Sequence, residues 1–256
     1  MEIDLLAKRS LVAALACRNN GSRLYGKPLQ NLHTEQPVTI LEQIVASLKS
    51  IREIDDIVLG ISHGSGNSVF TEFAQKLEIR SIFGDEHDVL SRLVECGKAS
   101  GATDIFRVTS ESPFIYFQQV SELWVEHVTE KNDATFLDNI IDGCGFEIIS
   151  MEALEKSLSE GESRHRSELC TLFIRENPEK FKIRKFNPPS DLIRYDLRLT
   201  VDNPEDLVLC RAVYKEFFHD APNFDIHKIV EFLDKRNDLT ALTKQFTESG
   251  YATMYK

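Results

Sequence analysis

Cysteine is sparse, and the few present form no pattern. Cys17, Cys96, Cys144, Cys170 and Cys210 are odd in number, scattered and without a C-x-x-C pair, which argues against a disulfide framework or a structural zinc site and leaves ordinary buried thiols. No apolar run approaches the roughly 20 residues of a membrane span. Met1–Ser10 carries charge on both sides of a short apolar stretch rather than the layout of a signal peptide, so a cytoplasmic protein without a membrane partner is expected. Basic residues fall short of acidic ones, 30 against 41, for a net charge of −11 and a pI near 5.2. The field of such a molecule repels phosphate backbones, so nucleic acid is not an expected partner, and a polyanionic substrate needs a local basic pocket. Internal repeats, coiled-coil heptads and low-complexity tracts are also absent.

With 256 residues, 42% of them apolar, the chain can bury a full core. Leu11–Cys17 (LVAALAC) is a continuous apolar run ending at a polar, glycine-containing stretch, the pattern of a buried parallel strand feeding a loop. Helical spacing over Thr39–Ser50, with Thr39 as cap, is followed by a strand at Asp56–Ser62, an amphipathic segment at Val69–Leu77 and a strand at Ile79–Phe83. A helix over Asp88–Ala99, a strand over Asp104–Thr109 and a helix over Val120–Thr129 continue the alternation. This predicts an α/β fold with a mostly parallel sheet, helices on both faces and ligands at the carboxyl ends of the strands. The second half is less regular. Strands are expected at Ala134–Phe136, Glu147–Ile149, Lys182–Phe186 and Leu197–Val201, and helices at Met151–Leu158 and Pro204–Phe218, the latter capped by Asp202 or Asn203. One or two short helices follow His219.

The segment after the first strand, Arg18-Asn19-Asn20-Gly21-Ser22-Arg23-Leu24-Tyr25-Gly26-Lys27, holds three cations within ten residues. Glycines let backbone N–H groups, such as those of Gly21 and Ser22, approach phosphate oxygens. Arg18, Arg23 and Lys27 can neutralise charge growing on a departing pyrophosphate. Arg18 and Lys27 are therefore the candidate catalytic cations. Gly21–Lys27 also fits the G-x-x-x-x-G-K of a P-loop, but that loop needs a Ser or Thr next to bind Mg²⁺, and Pro28 has neither hydroxyl nor N–H. A solvated basic loop is the plainer alternative. His63 reads as a turn residue, and Trp124 as core.

On these residues the chain resembles the sugar-activating cytidylyltransferases, the spore-coat polysaccharide type above all and, more distantly, CMP-Kdo and CMP-sialic acid synthetases. The family pattern A-R-x-x-x-x-R-L-x-G-K-x-L is met by Ala16 to Leu29, with one intervening substitution, Cys17, before Arg18. Gly84–Arg92 resembles G-x-x-x-D-V-L-x-R, Arg107–Ile115 resembles R-I-T-G-D-C-P-L-I, and Asp196–Leu207 resembles D-L-R-L-T-V-D-T-P-E-D-L. The four blocks stand in the family's order, and the resemblance covers roughly Leu11 to Phe218. The resemblance implies a three-layer α/β/α nucleotide-diphospho-sugar transferase (Rossmann-like) domain over 1–218, with an excursion over 134–186 shaping the acceptor site, a helical extension over 219–256, and a homodimer. It also implies CTP as substrate, Mg²⁺ held by Glu111 and Asp202 at the ends of two strands, and Asp88, Arg107 and Thr109 supporting the nucleotide pocket. The acceptor it implies is an acidic sugar or a related surface-glycan precursor.

Three departures from the family pattern bear on activity or acceptor choice. Glu111 replaces an Asp, Gly145 replaces the Asp of G-x-D-x-E, and Ser167-Glu168-Leu169-Cys170-Thr171 replaces R-E-H-V-T. Arg164, His165 and Arg166 stand just upstream, either as contacts for a sugar anion or as solvated surface. Guanylyl or uridylyl transfer to a sugar 1-phosphate, and a catalytically weak nucleotide-binding homologue with a regulatory role, stay open as alternatives.

Overall fold

In the computed structural model, which describes residues 6, 9–21 and 23–254, one seven-stranded sheet runs through the molecule in the order β5-β4-β1-β6-β8-β7-β9. β1 (Leu11–Cys17) lies at its centre, parallel to β4 (Ile54–Ser62) and β6 (Asp104–Arg107), and β5 (Arg80–Gly84) extends the parallel half from β4. β8 (Glu147–Ser150) runs antiparallel to both β6 and β7 (Ala134–Leu137), and β9 (Ile183–Phe186) closes the far edge parallel to β7. The sheet is mixed and mostly parallel, as the alternating pattern predicts. A small hairpin of β2 (Asn31–His33) and β3 (Val38–Thr39) lies within a stretch that carried no strand signal.

β1 is apolar at every position because both its faces are covered. Leu11, Ala13 and Leu15 enter one core. α1 (Ile40–Ser50), α4 (Val120–Thr129), α7 (Pro204–Glu216) and α8 (Ile226–Leu233) add side chains to the same core. Val12 and Ala14 enter a second core with side chains from α3 (Val89–Ser100), α5 (Met151–Glu160) and α6 (Leu172–Glu176). Layers of helix, sheet and helix result. α1 starts where expected: Thr39 accepts from Glu42 N at 3.2 Å while the Glu42 carboxylate accepts from Thr39 N at 2.7 Å, a capping box. The short α2 (Val69–Lys76) packs between β4 and β5. Trp124 is buried in the first core and all five cysteines are buried and free.

Two expectations need correction. Leu197–Val201 is not a strand. Its alternating Leu197, Leu199 and Val201 are buried, but the backbone is shared between two loops: Leu199 N donates to Asp142 O at 2.7 Å and Val201 N to Glu111 O at 3.0 Å, with one isolated bridge at Asp142–Arg198. The intervening Arg198 and Thr200 are buried too, so the period-two pattern reflects a chain enclosed on all sides. The terminal helices are not both short, since α9 (Asn237–Met254) has 18 residues and packs on α7. No helix among the described residues is long and apolar enough to cross a membrane.

Candidate active site

The parallel strands deliver three loops to one end of the sheet. The first, after β1, is built on Asn19. Asn19 O accepts from Gly26 N at 2.9 Å, and Asn19 N donates at 2.8 Å to Asn67 Oδ1, so the loop after β4 braces the loop after β1. Gly26 stands at φ +59°, a left-handed conformation that glycine adopts at little cost, and it turns the chain into the short 3₁₀ turn Lys27–Leu29. Gly21 is needed for a different reason: a Cβ there would lie 2.2 Å from Leu24 O. Ser22 lies outside the described residues.

This loop aims Lys27 and Arg23 at one carboxylate. Lys27 Nζ is 2.5 Å and Arg23 Nη2 3.2 Å from Asp202 Oδ1. Asp202 Oδ2 is taken by Arg198, whose guanidinium is 2% exposed and also reaches Asp142 at 2.6 Å and Asp206 at 3.0 Å. Asp206 in turn accepts from the backbone of Asp202 and Asn203 at 2.9 and 2.8 Å. The cap of α7 is Asn203, so Asp202 is released from that task. Burial raises the Asp202 pKa, but Lys27, Arg198 and Arg23 outweigh it and hold the carboxyl below its ordinary value. Asp142, by contrast, is pushed up to about 6 by burial and by the charges of Asp202 and Asp206, against the pull of Arg198.

Glu111 joins this group from the loop after β6. Its backbone carbonyl holds Val201 N, its carboxylate accepts from Ser110 Oγ at 3.1 Å, and Ser110 Oγ also donates to Ala16 O at 2.9 Å. Burial raises the Glu111 pKa, Lys27 lowers it, and Asp202 and Glu168 raise it further. Glu111 and Asp202 are therefore neighbours, but neither ends a strand: β6 stops at Arg107, and Asp202 follows the irregular segment. Among the described residues no three His, Cys, Asp or Glu side chains cluster as a metal site. Two hard carboxylates beside three cations suit Mg²⁺, which keeps several waters and takes its other ligands from substrate phosphates. A divalent cation between them would also relieve the charge of Asp202 that raises the Glu111 pKa.

The remaining sequence-derived candidates divide into those that line this end of the sheet and those that brace it. Arg18 pairs with the exposed Glu168. Arg107 donates to Glu147 at 2.6 Å and to Glu168 O at 2.8 Å, so it anchors the segment that carries the partner of Arg18. Thr109 Oγ1 lies 2.6 Å from Ser112 Oγ, which donates to Thr200 Oγ1 at 3.0 Å, a hydroxyl chain tying the β6 exit to the Arg198 segment. Asp88 caps α3 through Ser91 N at 2.8 Å and pairs with Arg166. Arg164, which is exposed, and the buried His165 both bond Glu176, so the pair fastens the 162–176 segment while Arg164 stays at the solvated surface.

Residues 13–248 match the family described as cytidylyltransferase. The chain belongs to the cytidylyltransferase family. It is 24% identical over 226 residues to the spore coat polysaccharide biosynthesis protein SpsF of Bacillus subtilis, covering 88% of this chain and 94% of that one. In fold it is similar to a cytidylyltransferase from Leptospira borgpetersenii (TM-score 0.78, 21% identity, 91% of this chain and 96% of that one). It is also similar to a CMP:2-keto-3-deoxy-manno-octonic acid synthetase complexed with CTP (TM-score 0.59, 14% identity, 81% and 99%). The chain is thus a nucleotidyltransferase.

Three features of this cytidylyltransferase were not legible as site residues. Arg198, Asp142 and Asp206 form the framework behind Asp202; the last lies only four residues from Asp202, but Asp142 is remote in sequence and gave no signal. Arg92 is 2% exposed, has no ion-pair partner among the described residues, and donates to Cys17 O at 3.3 Å and Gly60 O at 3.1 Å, holding the carboxyl ends of β1 and β4. Its place in the Gly84–Arg92 block was the available clue. Glu147 forms the third: Arg107, Arg175 at 2.7 Å and Thr171 at 2.8 Å converge on it, and Arg175 also takes Asp138 at 2.7 and 2.8 Å.

Burial would raise the Glu147 pKa, yet Arg107 and Arg175 hold it down at about 2. A depressed carboxylate contributes stability that is complete above its unfolded value and lost as pH falls toward the folded one. That contribution is on the order of 3 kcal/mol at neutral pH. Glu147→Gln is expected to lose most of it at pH 7 and to converge on the parent as pH drops from about 4 toward 2, as measured by urea unfolding across that range.

Proposed function

We propose that the chain transfers CMP from CTP to an acidic sugar, or to a related surface-glycan precursor, with Mg²⁺ and release of pyrophosphate. The observation that carries this reading is the convergence of Lys27 and Arg23 on Asp202, beside Glu111, at the carboxyl end of the central parallel strands. Gly21, Ser22 and their neighbours offer backbone N–H groups to the triphosphate. Arg18, Arg23 and Lys27 exchange their carboxylate partners for phosphate oxygens, and they neutralise the charge that accumulates as pyrophosphate departs. Glu111 and Asp202 are the residues that would hold Mg²⁺, which when bound supplies charge neutralisation across the phosphates. Arg107, Thr109 and Asp88 keep the surrounding loops in register. The 134–186 excursion, braced by the Glu147 ion pairs, shapes the acceptor side. The cytosine and acidic-sugar assignments draw on the family and on what its relatives are named for. We further propose a cytoplasmic homodimer.

The test is pyrophosphate release from purified protein with Mg²⁺, each of CTP, GTP, UTP and ATP, and a panel of nonulosonic acids, Kdo-type acids and sugar 1-phosphates. Release is expected only where CTP and an acidic sugar are both present. Preference for GTP or UTP with a sugar 1-phosphate would overturn the substrate assignment. CTP binding with silence across the panel would count against catalysis.

A further inference from the structure

The carboxylate assigned above to the metal is held from behind by a framework that reaches the last described helix. Asp202 is oriented by Arg198, and Arg198 by Asp142 at 2.6 Å. α9 closes over that ion pair at Gly250, where a Cβ would lie 2.3 Å from Arg198 Nη1 and 2.8 Å from Asp142 Oδ2. A Cβ at this position would push the guanidinium or the carboxylate of the pair out of place. One residue on, Tyr251 Oη accepts from Asp142 N at 2.7 Å and lies 3.2 Å from both Ile140 O and Arg194 O. The phenol thus joins the loop carrying Asp142 to the segment leading into Arg198. Both residues fall just beyond the 13–248 span that matches the family.

We propose that Gly250 and Tyr251 are positioning residues for nucleotidyl transfer, fixing Asp202 through the Asp142–Arg198 pair. This rests on the metal role proposed for Asp202. Packing alone would make α9 a generic stabiliser whose loss is felt evenly. A connected ion-pair framework behind one carboxylate instead makes substitutions at its two ends interdependent, whereas separated sites without shared partners add.

The experiment is a double-mutant cycle in urea unfolding between Tyr251→Phe, which keeps the ring and removes the hydroxyl, and Asp202→Asn, with Gly250→Ala in a parallel cycle. Leu242→Gln, on an exposed position of the same helix, is the control. The Tyr251 and Gly250 cycles are expected to be non-additive and the Leu242 cycle additive. Additivity in all three would overturn the proposal. In a second measurement, CTP affinity is compared with EDTA and with Mn²⁺. Tyr251→Phe is expected to lose severalfold of the gain that Mn²⁺ gives the parent, with metal-free CTP affinity unchanged within about twofold. A retained gain in Tyr251→Phe would overturn the proposal, since loosening of the fold lowers both affinities together. Absence of pyrophosphate release by the parent protein would count against the proposed function and leave the unfolding cycles to decide the role of α9.

Discussion

Lys27→Ala is expected to lower the rate of pyrophosphate release by about 10²- to 10³-fold, the loss usually seen when one charged or hydrogen-bonding group is removed from a developing oxyanion. Lys27 is mostly buried, 16% exposed at the side chain, and sits 2.5 Å from Asp202. Two effects therefore add. The triphosphate loses its least hydrated cation, and Asp202 keeps only Arg23 and Arg198. Lys27→Arg is not a conservative control, because a planar fork replaces a point charge in a cramped loop. A change below about fivefold in the rate of Lys27→Ala, with CTP binding unaltered, would reduce Lys27 to a counter-ion of Asp202.

Arg198→Met is expected to cost about 3–5 kcal/mol of stability and to abolish measurable transfer. Removing one partner of a buried ion pair leaves the others unpaired and desolvated. Here three carboxylates, Asp142, Asp202 and Asp206, lose a common cation at once. The sign of the pH dependence follows from Asp142. Its folded pKa of about 6 stands above the ordinary 3.8, so the folded state holds this proton more tightly and the group becomes less favourable to folding as pH rises through 4 to 6. Without Arg198 the carboxyl shifts further up, and the deficit of the variant grows with pH. Urea midpoints at pH 5 and pH 8 check this: the gap between variant and parent should be wider at pH 8.

Sequence carried much of the fold, because local patterns report on burial. The unbroken apolar run at Leu11–Cys17 meant a strand covered on both faces, and the spacing of Ile40, Leu41, Ile44, Val45 and Leu48 meant a helix with one buried side. The same logic misread Leu197–Val201, since alternation marks a buried extended chain whether or not a neighbouring strand supplies a ladder. The site was legible where its residues are close in sequence, as in Arg18–Lys27. It was not legible where charges meet across the fold. Arg198 and Asp142 are joined only by the path of the chain, and Arg92 gives no sign in the sequence that it is buried without a carboxylate. Asp88 and Arg107 lie at the carboxyl ends of β5 and β6, but their side chains are committed to Arg166 and Glu147.

Gly145 is confined to its size by the backbone that faces it. The G-x-D-x-E pattern that the sequence resembles places an Asp at this position, whereas here a Cβ would lie 2.6 Å from the carbonyl oxygen of Leu137. That neighbour is backbone at the end of β7, not a side chain that can swing away. Gly145→Asp would therefore bring a collision along with its carboxylate, and any side chain at 145 fits only if the β7 exit is rebuilt. Whatever acceptor the protein serves, position 145 is closed to side chains for as long as the Leu137 carbonyl faces it.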